Sequence, residues 1–431
     1  MIQFLVIFFL LIAILLAGMP VAFGLGSTAV VLALVQDHIS INFLSITVLE
    51  SLNSFTLLAV PLFVLMSLVL LAGKVGDSLF DTINAWVRHL PGGLGVATVL
   101  SCAVFAAITG SGAATAATIG MVAYPAMTSR GYDRRFTLGL LASGGTLGIL
   151  IPPSIPMILY SSITNTSLDK LFMAGVVPGI LLTLLLATYA VWRSKHGGFI
   201  PVPKASWEER RALTVRNIPG LLLPVIIIGG IYGGIFTPTE AAAVGLVYSL
   251  FVTLCVYRTL SLRQLPRICL DGMATSCMIS MIVIGAHLFG KIMTLMQIPQ
   301  ELTQVVAENN FSPLLFILAM NAVLLVLGSI LETVSVVLLT TPLVLPIMES
   351  LGIDPIWYGV VLTMNMTIAL ITPPVGMDLY VIKSLRSDIS LGDVIRGVAP
   401  CALLMVLFLC VIIAFPSIST FLPSLMPSRG V

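Results

Sequence analysis

The sequence predicts an all-α integral membrane protein of two inverted-topology repeats, each with a re-entrant helical hairpin and a broken helix. Three observations predict it. Of 431 residues, 58% are hydrophobic and only 9% charged, with a mean hydropathy of +1.12, which leaves too little polar surface to coat a water-soluble globule. Apolar segments long enough to span a bilayer recur along the chain, separated by short loops. Prolines, glycines and aspartates also repeat in one register across the two halves.

Windows of about 20 apolar residues give candidate spans near 2–17, 20–35, 55–73, 135–165, 170–192, 217–235, 239–257, 268–296, 355–382 and 397–425. The opening MIQFLVIFFLLIAILLAG has no Lys or Arg before its apolar run, and that run is longer than a usual signal core. It reads as a retained first helix. Residues 94–129 and 312–349 are apolar but interrupted at their centres by TGSGAAT (109–115) and GSILET (328–333). Either one span plus a loop or a hairpin of two half-helices fits each of them.

Charge discriminates between the two. Arg193, Lys195, Lys204, Arg210, Arg211 and Arg216 mark loop 193–216 as cytoplasmic, and Arg258, Arg263 and Arg267 mark loop 258–267 likewise. Lys74 and Arg88 precede the first interrupted region while Arg130, Arg134 and Arg135 follow it, so both its ends read as cytoplasmic and a hairpin satisfies them. Around the second region the flanks are Glu301 and Glu308, then Glu349 and Asp354, so both ends read as periplasmic.

Pairs about 221 residues apart recur: Pro125 with Pro346, Met127 with Met348, Gly131 with Gly352, Asp133 with Asp354, Thr146 with Thr367, and Pro152-Pro153 with Pro373-Pro374. Nearby registers match Gly73-Lys74 with Gly290-Lys291, Pro20 with Pro238, and Gly175 and Pro178 with Gly397 and Pro400. The implied first unit is 1–216, with scaffold helices over about 1–73, a hairpin over about 94–129 opening to the cytoplasm and a broken helix over about 135–165. The second is 217–431, with a hairpin over about 312–349 opening to the periplasm and a broken helix over about 355–382. Opposite charge bias in matched loops implies a pseudo-two-fold axis in the membrane plane, an architecture of secondary transporters.

Irregular backbone at membrane depth is tolerated only where protein buries it or a polar cavity receives it. Four breaks meet that description: the tips Thr109, Gly110, Ser111, Gly112 and Gly328, Ser329, and the interruptions GGTLGILIPPS (144–154) and NMTIALITPPVG (365–376). Proline removes a donor and frees the carbonyl one turn earlier, and glycine permits the reversal. Freed carbonyls with Ser and Thr hydroxyls make hard oxygen ligands suited to Na⁺, while half-helix N-termini suit a carboxylate. Pro and Gly often merely kink or pack membrane helices, but two matched pairs of breaks favour a site.

Glu332 at the second tip and Asp378 after the TPP break are intramembrane charges and functional candidates; the plainer alternative is a carboxylate reaching a polar rim. His287 and Lys291 read as structural or interfacial, Glu240 as the start of a helix after Thr237-Pro238, and Ser54 as a packing hydroxyl. Cys102, Cys255, Cys269, Cys277, Cys401 and Cys410 have neither CxxC nor metal spacing and read as small packing residues. A net charge of +2 carried in short loops argues against nucleic acid. With no GxSxG, HExxH or Walker motif, the chain reads as no enzyme and needs no cofactor. Its energy must come from an ion gradient or another subunit.

TGSGAATAATIG, YPAMTSRGYDRRF, GGTLGILIPPSIPMILY and ITPPVGMDLYV together resemble the large membrane subunit of tripartite ATP-independent periplasmic (TRAP) transporters, over essentially the full chain. The GGT…PP pattern is also similar to the wider ion-transporter superfamily. The resemblance implies a multi-pass protein of the bacterial inner membrane, an elevator-type carrier with Na⁺ as coupling ion. It implies two partners besides the lipid bilayer: a small four-helix membrane subunit, and a periplasmic substrate-binding protein delivering an organic carboxylate such as a C4-dicarboxylate or sialic acid. The alternative is a stand-alone Na⁺/anion symporter needing no binding protein. Carried over residue by residue, ion binding falls to Gly110, Ser111, Gly112, Gly328 and Thr372, Pro373, Pro374, Val375 and Gly376. Substrate binding falls to Thr146, Pro152, Pro153 and Ser154, with Ser329, Glu332 and Asp378 beside them.

Overall fold

The computed structural model describes residues 2–36, 40–195 and 203–426. The outer limits of the expected units and the middle of the basic loop 193–216 thus lie outside the described residues, among which every regular element is a helix.

α1 (Ile2–Leu16) and α2 (Val21–Val35) are 15 residues each, so about 22 Å long and shorter than a full bilayer core of about 30 Å. Gly18, at φ +93°, and Pro20, which lacks an amide hydrogen, separate them. α3 (Ile41–Leu52), capped by Ser40, bends by 60° into the stretch holding α4 (Ala59–Ala72), and Ser54 sits half-buried in that bend. α5 (Val75–Val87) buries Val75, Leu79, Phe80 and Ala85 on one face and starts from Lys74 in the left-handed region. A hairpin follows, α6 (Gly93–Thr109) and α7 (Gly112–Thr128), and then α8 (Arg134–Leu150) and α9 (Ile155–Thr164), which run on as one interrupted span. α10 (Leu168–Lys195) closes this half.

α11 (Trp207–Tyr232) and α12 (Pro238–Phe251) follow, the latter ending in a π-helical turn, Val252–Val256. Glu240 begins α12 as expected: its carboxylate accepts from the Thr237 amide at 2.8 Å while its own amide reaches the Thr237 hydroxyl. Then come α13 (Leu265–Leu295), the amphipathic α14 (Ile298–Glu308), the hairpin α15 (Pro313–Ile330) and α16 (Thr333–Ser350), the interrupted α17 (Pro355–Ala369) and α18 (Met377–Ser384), and finally α19 (Leu391–Ala414) and α20 (Ser417–Ser424). Among the described residues eight helical stretches are long and apolar enough to cross a membrane, or nine if the bent pair is one span.

The structure differs from the sequence expectation at three helices and one break. α3, α5 and α14 are only 11 to 13 residues long, and α5 and α14 are two-faced, so a 20-residue apolar window passes over them. The expected span at 397–425 breaks at Pro416, which supplies no amide hydrogen to continue α19. The cysteines also divide. Cys102 and Cys401 pack inside, but Cys255, Cys269, Cys277 and Cys410 are exposed on the outer helical surface, where in a membrane protein lipid rather than core surrounds them.

α8 is the axis of the molecule. It touches α6, α7, α10, α17, α18 and α19, and 94% of the apolar window of its span is buried, against 22% to 72% in the others. Glycine permits this: a Cβ on Gly139 would strike the Gly397 carbonyl of α19, and one on Gly145 would strike Ala116 of α7. Close backbone approach through small residues is how membrane helices pack without a hydrophobic drive between them. At the N-terminus of α8, Arg135 pairs with Asp393 at 3.1 Å and Arg134 with Asp388 at 3.6 Å, tying α8 to the α18–α19 connection. Elsewhere Arg88, just past α5, makes a two-pronged pair with Glu209 of α11, at 2.7 and 2.9 Å.

Candidate functional site

The α6–α7 tip is built from local hydrogen bonds. Gly110 takes φ +64° to reverse the chain. The Ser111 hydroxyl accepts from the Ala114 amide, capping α7, while the Thr115 hydroxyl donates to the Ser111 carbonyl at 2.8 Å. Thr109 and Thr115 hydroxyls lie 3.1 Å apart, both buried. This tip lies directly on the first break: a Cβ on Gly110 would run into the Pro153 carbonyl, and one on Gly148 would meet the Ser111 carbonyl oxygen at 2.5 Å.

In the first break Pro152, Pro153 and Ser154 are all buried. The Ser154 hydroxyl donates to the Ile149 carbonyl at 2.5 Å, so one carbonyl released by the prolines is satisfied locally. Thr146 is fully buried, its hydroxyl turned back to the Ser143 carbonyl at 2.8 Å. Both double prolines, 152–153 and 373–374, are joined by cis peptide bonds.

In the second break Pro373, Pro374 and Val375 are exposed, Gly376 is buried at φ +56°, and the Thr372 hydroxyl donates to the Ile368 carbonyl at 2.7 Å. The α15–α16 tip docks here. The Ser329 carbonyl accepts from both the Val375 and Gly376 amides, at 3.0 Å each, and a Cβ on Gly328 would press on Ala369 and Met366. Glu332 occupies the cap position of α16 without a side-chain cap bond; it is half-buried, and its carboxylate makes no hydrogen bond or ion pair among the described residues.

Asp378 lies between tip one and the second break. Its carboxylate is fully buried, and neither oxygen has a hydrogen-bond partner among the described residues. A Cβ on Gly112, at the first tip, would lie 3.1 Å from Asp378 Oδ2 and 3.5 Å from the Gly145 carbonyl, while the Asp378 amide donates to the Leu370 carbonyl at 3.1 Å. An unpaired ionised carboxylate in such surroundings is costly, so this position calls for a proton or a bound cation. The expected ion-binding residues therefore form one polar layer, running from the first break through tip one and Asp378 to the second break and tip two. Ser329 and Asp378 join that layer, whereas Thr146 and Glu332 make no bond to it.

One polar pair was not singled out in the sequence. Asn365, fully buried on α17, donates to the Asn321 carbonyl of α15 at 2.9 Å and to its side-chain oxygen at 2.7 Å. One asparagine in each of two apolar spans was the available signal. The layer's donors are hydroxyls, carbonyls and carboxylate, all hard oxygens suited to alkali cations, and no group of three or more His, Cys, Asp or Glu suited to a metal ion occurs among the described residues.

Residues 7–418 match the family described as the tripartite ATP-independent periplasmic transporter, DctM component. The chain is 43% identical over 404 residues to the C4-dicarboxylate TRAP transporter large permease protein DctM of Pseudomonas aeruginosa, covering 93% of both chains. It is 35% identical over 419 residues to the sialic acid TRAP transporter large permease protein SiaM of Vibrio cholerae, covering 97% of this chain and 98% of that one. Among solved structures, the YdaH transporter of Alcanivorax borkumensis superposes with a TM-score of 0.60 at 15% identity, over 93% of this chain and 98% of its own. That likeness concerns the fold.

Proposed function

The chain belongs to the DctM component family of tripartite ATP-independent periplasmic transporters, and from that premise we propose that it imports an organic carboxylate by Na⁺-coupled secondary transport. It is a multi-pass protein of the bacterial inner membrane and a transporter subunit rather than an enzyme. Family membership brings two partners into the proposal, a small four-helix membrane subunit and a periplasmic binding protein. Relatives named for C4-dicarboxylate and for sialic acid support a carboxylate as the shared chemistry of the cargo.

One observation carries the Na⁺ coupling: the buried, unpartnered Asp378 carboxylate between the tip at Gly112 and the second break. A carboxylate there repels an anionic solute and attracts a cation, so we assign Asp378 to the cation rather than to the substrate. Ser111, Thr372 and the Gly145 and Ser329 carbonyls lie along the same layer and supply further hard oxygens. The substrate carboxylate is left to the polar groups around the breaks, Ser154 and Ser329 among them, and to the N-terminus of α7.

The same order of elements, namely an amphipathic helix, a hairpin, an interrupted helix and a long helix, occurs in α5–α10 and in α14–α19. This supports units 1–216 and 217–431 as inverted repeats. It also supports hairpins and interrupted helices moving together as the elevator body, since tip one packs on α8, tip two bonds to the second break, and α17 and α18 pack on α8. Uptake in proteoliposomes tests the whole proposal, with labelled succinate or sialic acid, an imposed Na⁺ gradient, and the binding protein present or omitted. Flux needing both Na⁺ and binding protein is the expected result. Flux with Na⁺ alone would leave a stand-alone symporter, and flux indifferent to Na⁺ would remove the coupling.

A further inference from the structure

A cavity of about 180 Å³ lies between α13, α16 and α9, lined by Ile163, His287, Lys291, Thr294, Leu338 and Pro342. It is apart from the tips and breaks and uses none of the residues assigned above. Both ionisable residues in its lining are basic and stand one helical turn apart on α13. His287 Nε2 is buried with no hydrogen-bond partner, and Lys291 is exposed with no ion pair among the described residues. Thr294 offers no free donor, because its hydroxyl is given to the Gly290 carbonyl at 2.8 Å. Gly290 brings α13 close to the hairpin: a Cβ there would meet Pro342 at 3.2 Å.

The matching pair in the first half behaves differently. Gly73-Lys74 ends α4, with Lys74 in the left-handed region, whereas Gly290-Lys291 stays inside α13. A straight helix holds the second lysine beside the hairpin arm, where the first is turned away at a helix end. An imidazole without a hydrogen-bond partner and a cation without a counter-ion, both lining one cavity, describe a site for negative charge. Its volume is below the ~300 Å³ at which pockets for drug-sized ligands begin, so it fits one acidic group rather than a whole sugar acid.

We propose that this cavity is an accessory site for a single oxyanionic group, held by the Lys291 ammonium and the His287 imidazole between α13 and the second hairpin. Helix α13 leaves the basic loop 258–267, so this part of it lies toward the periplasm, on the side from which cargo arrives. Two sources share the chemistry, the carboxylate of a solute and the phosphate of a lipid headgroup. Only the first rests on the function proposed above.

Acylation of Lys291 by acetic anhydride, read by mass spectrometry against the exposed Lys383, tests the site in the full chain in nanodiscs. Added succinate in phosphatidylcholine discs should protect Lys291 if the source is a carboxylate. Protection without succinate on moving to phosphatidylglycerol discs would assign it to a headgroup. No protection under either condition overturns the site. In His287→Leu, which removes the donor, the protecting concentration should rise about tenfold or more, with unprotected acylation unchanged; unaltered protection overturns the two-point site. Labelled succinate uptake is measured on the same purified protein reconstituted into sealed proteoliposomes with its small membrane subunit and binding protein. Protection without uptake upholds the site and removes only the proposed cargo, and uptake with Lys291 reactive throughout removes the site alone.

Discussion

The two hairpin tips approach neighbouring breaks but are closed by different bonds. Tip one is tied within itself: Ser111 caps α7, Thr115 returns to the Ser111 carbonyl and Thr109 meets Thr115, all inside a buried turn. Tip two has no side-chain cap, and its Ser329 carbonyl is satisfied from across, by the Val375 and Gly376 amides of the second break. Tip one therefore keeps its shape whatever the second break does. Opening tip two exposes a carbonyl and two amides at once, so its movement is conditional on something replacing those bonds. Under the function proposed above, a cation or a polar substrate group would be such a replacement, which would make the second tip a gate and the first a fixed wall.

The largest effect should come from Gly110→Ala. The αL conformation costs a residue with a Cβ about 1–2 kcal/mol, and here the Cβ also strikes the Pro153 carbonyl. We expect uptake to be abolished and the apparent Tm by scanning fluorimetry to fall by several degrees; a normal Tm would mean that the wall is not rigid. Asp378→Asn comes next, since it removes the charge and keeps the shape. The Na⁺ concentration for half-maximal uptake should rise about tenfold, corresponding to about 1.4 kcal/mol, with Tm unchanged or raised. Wild-type Na⁺ dependence in that variant would dissociate Asp378 from the cation.

Asn365→Leu should cost about 1–3 kcal/mol by stranding the buried Asn321 oxygen, loosening α15 and hence tip two only. Accessibility of a cysteine introduced at Ser329 should increase, while one at Ser111 should not. The smallest difference separates the two cap positions. Ser111→Ala should lose about 1 kcal/mol of stability, whereas Glu332→Ala, with no cap bond to lose, should stay within about 0.5 kcal/mol. Equal losses in thermal unfolding would erase the distinction between the tips.

Glycine and proline made much of this plan legible in the sequence. Gly110 and Gly376 stand at positive φ where the chain reverses or breaks, and the double prolines end α8 and α17 because they offer no amide to continue them. What stayed hidden lacked a local signature. α5 and α14 alternate apolar and polar faces over lengths too short for a hydropathy window, and α3 is shorter than any span. The meeting of Asp378 with Gly112 depends on how α18 packs against α7, and no periodicity reports that. Residue type flagged Asp378 as a charge at membrane depth, and the proposal that it serves the cation rather than the substrate rests on neighbours that no sequence pattern names.

The burial of α8 has a consequence for how the protein is made. Ribosomes deliver α8 early, whereas α17, α18 and α19, the last of which covers it at Gly139, emerge last. For most of synthesis this helix waits with Gly139 uncovered and the guanidinium groups of Arg134 and Arg135 lacking Asp388 and Asp393. Truncated chains that stop before α19 should therefore be recognised by membrane quality control and degraded, and maturation should be timed by the final helices rather than the first.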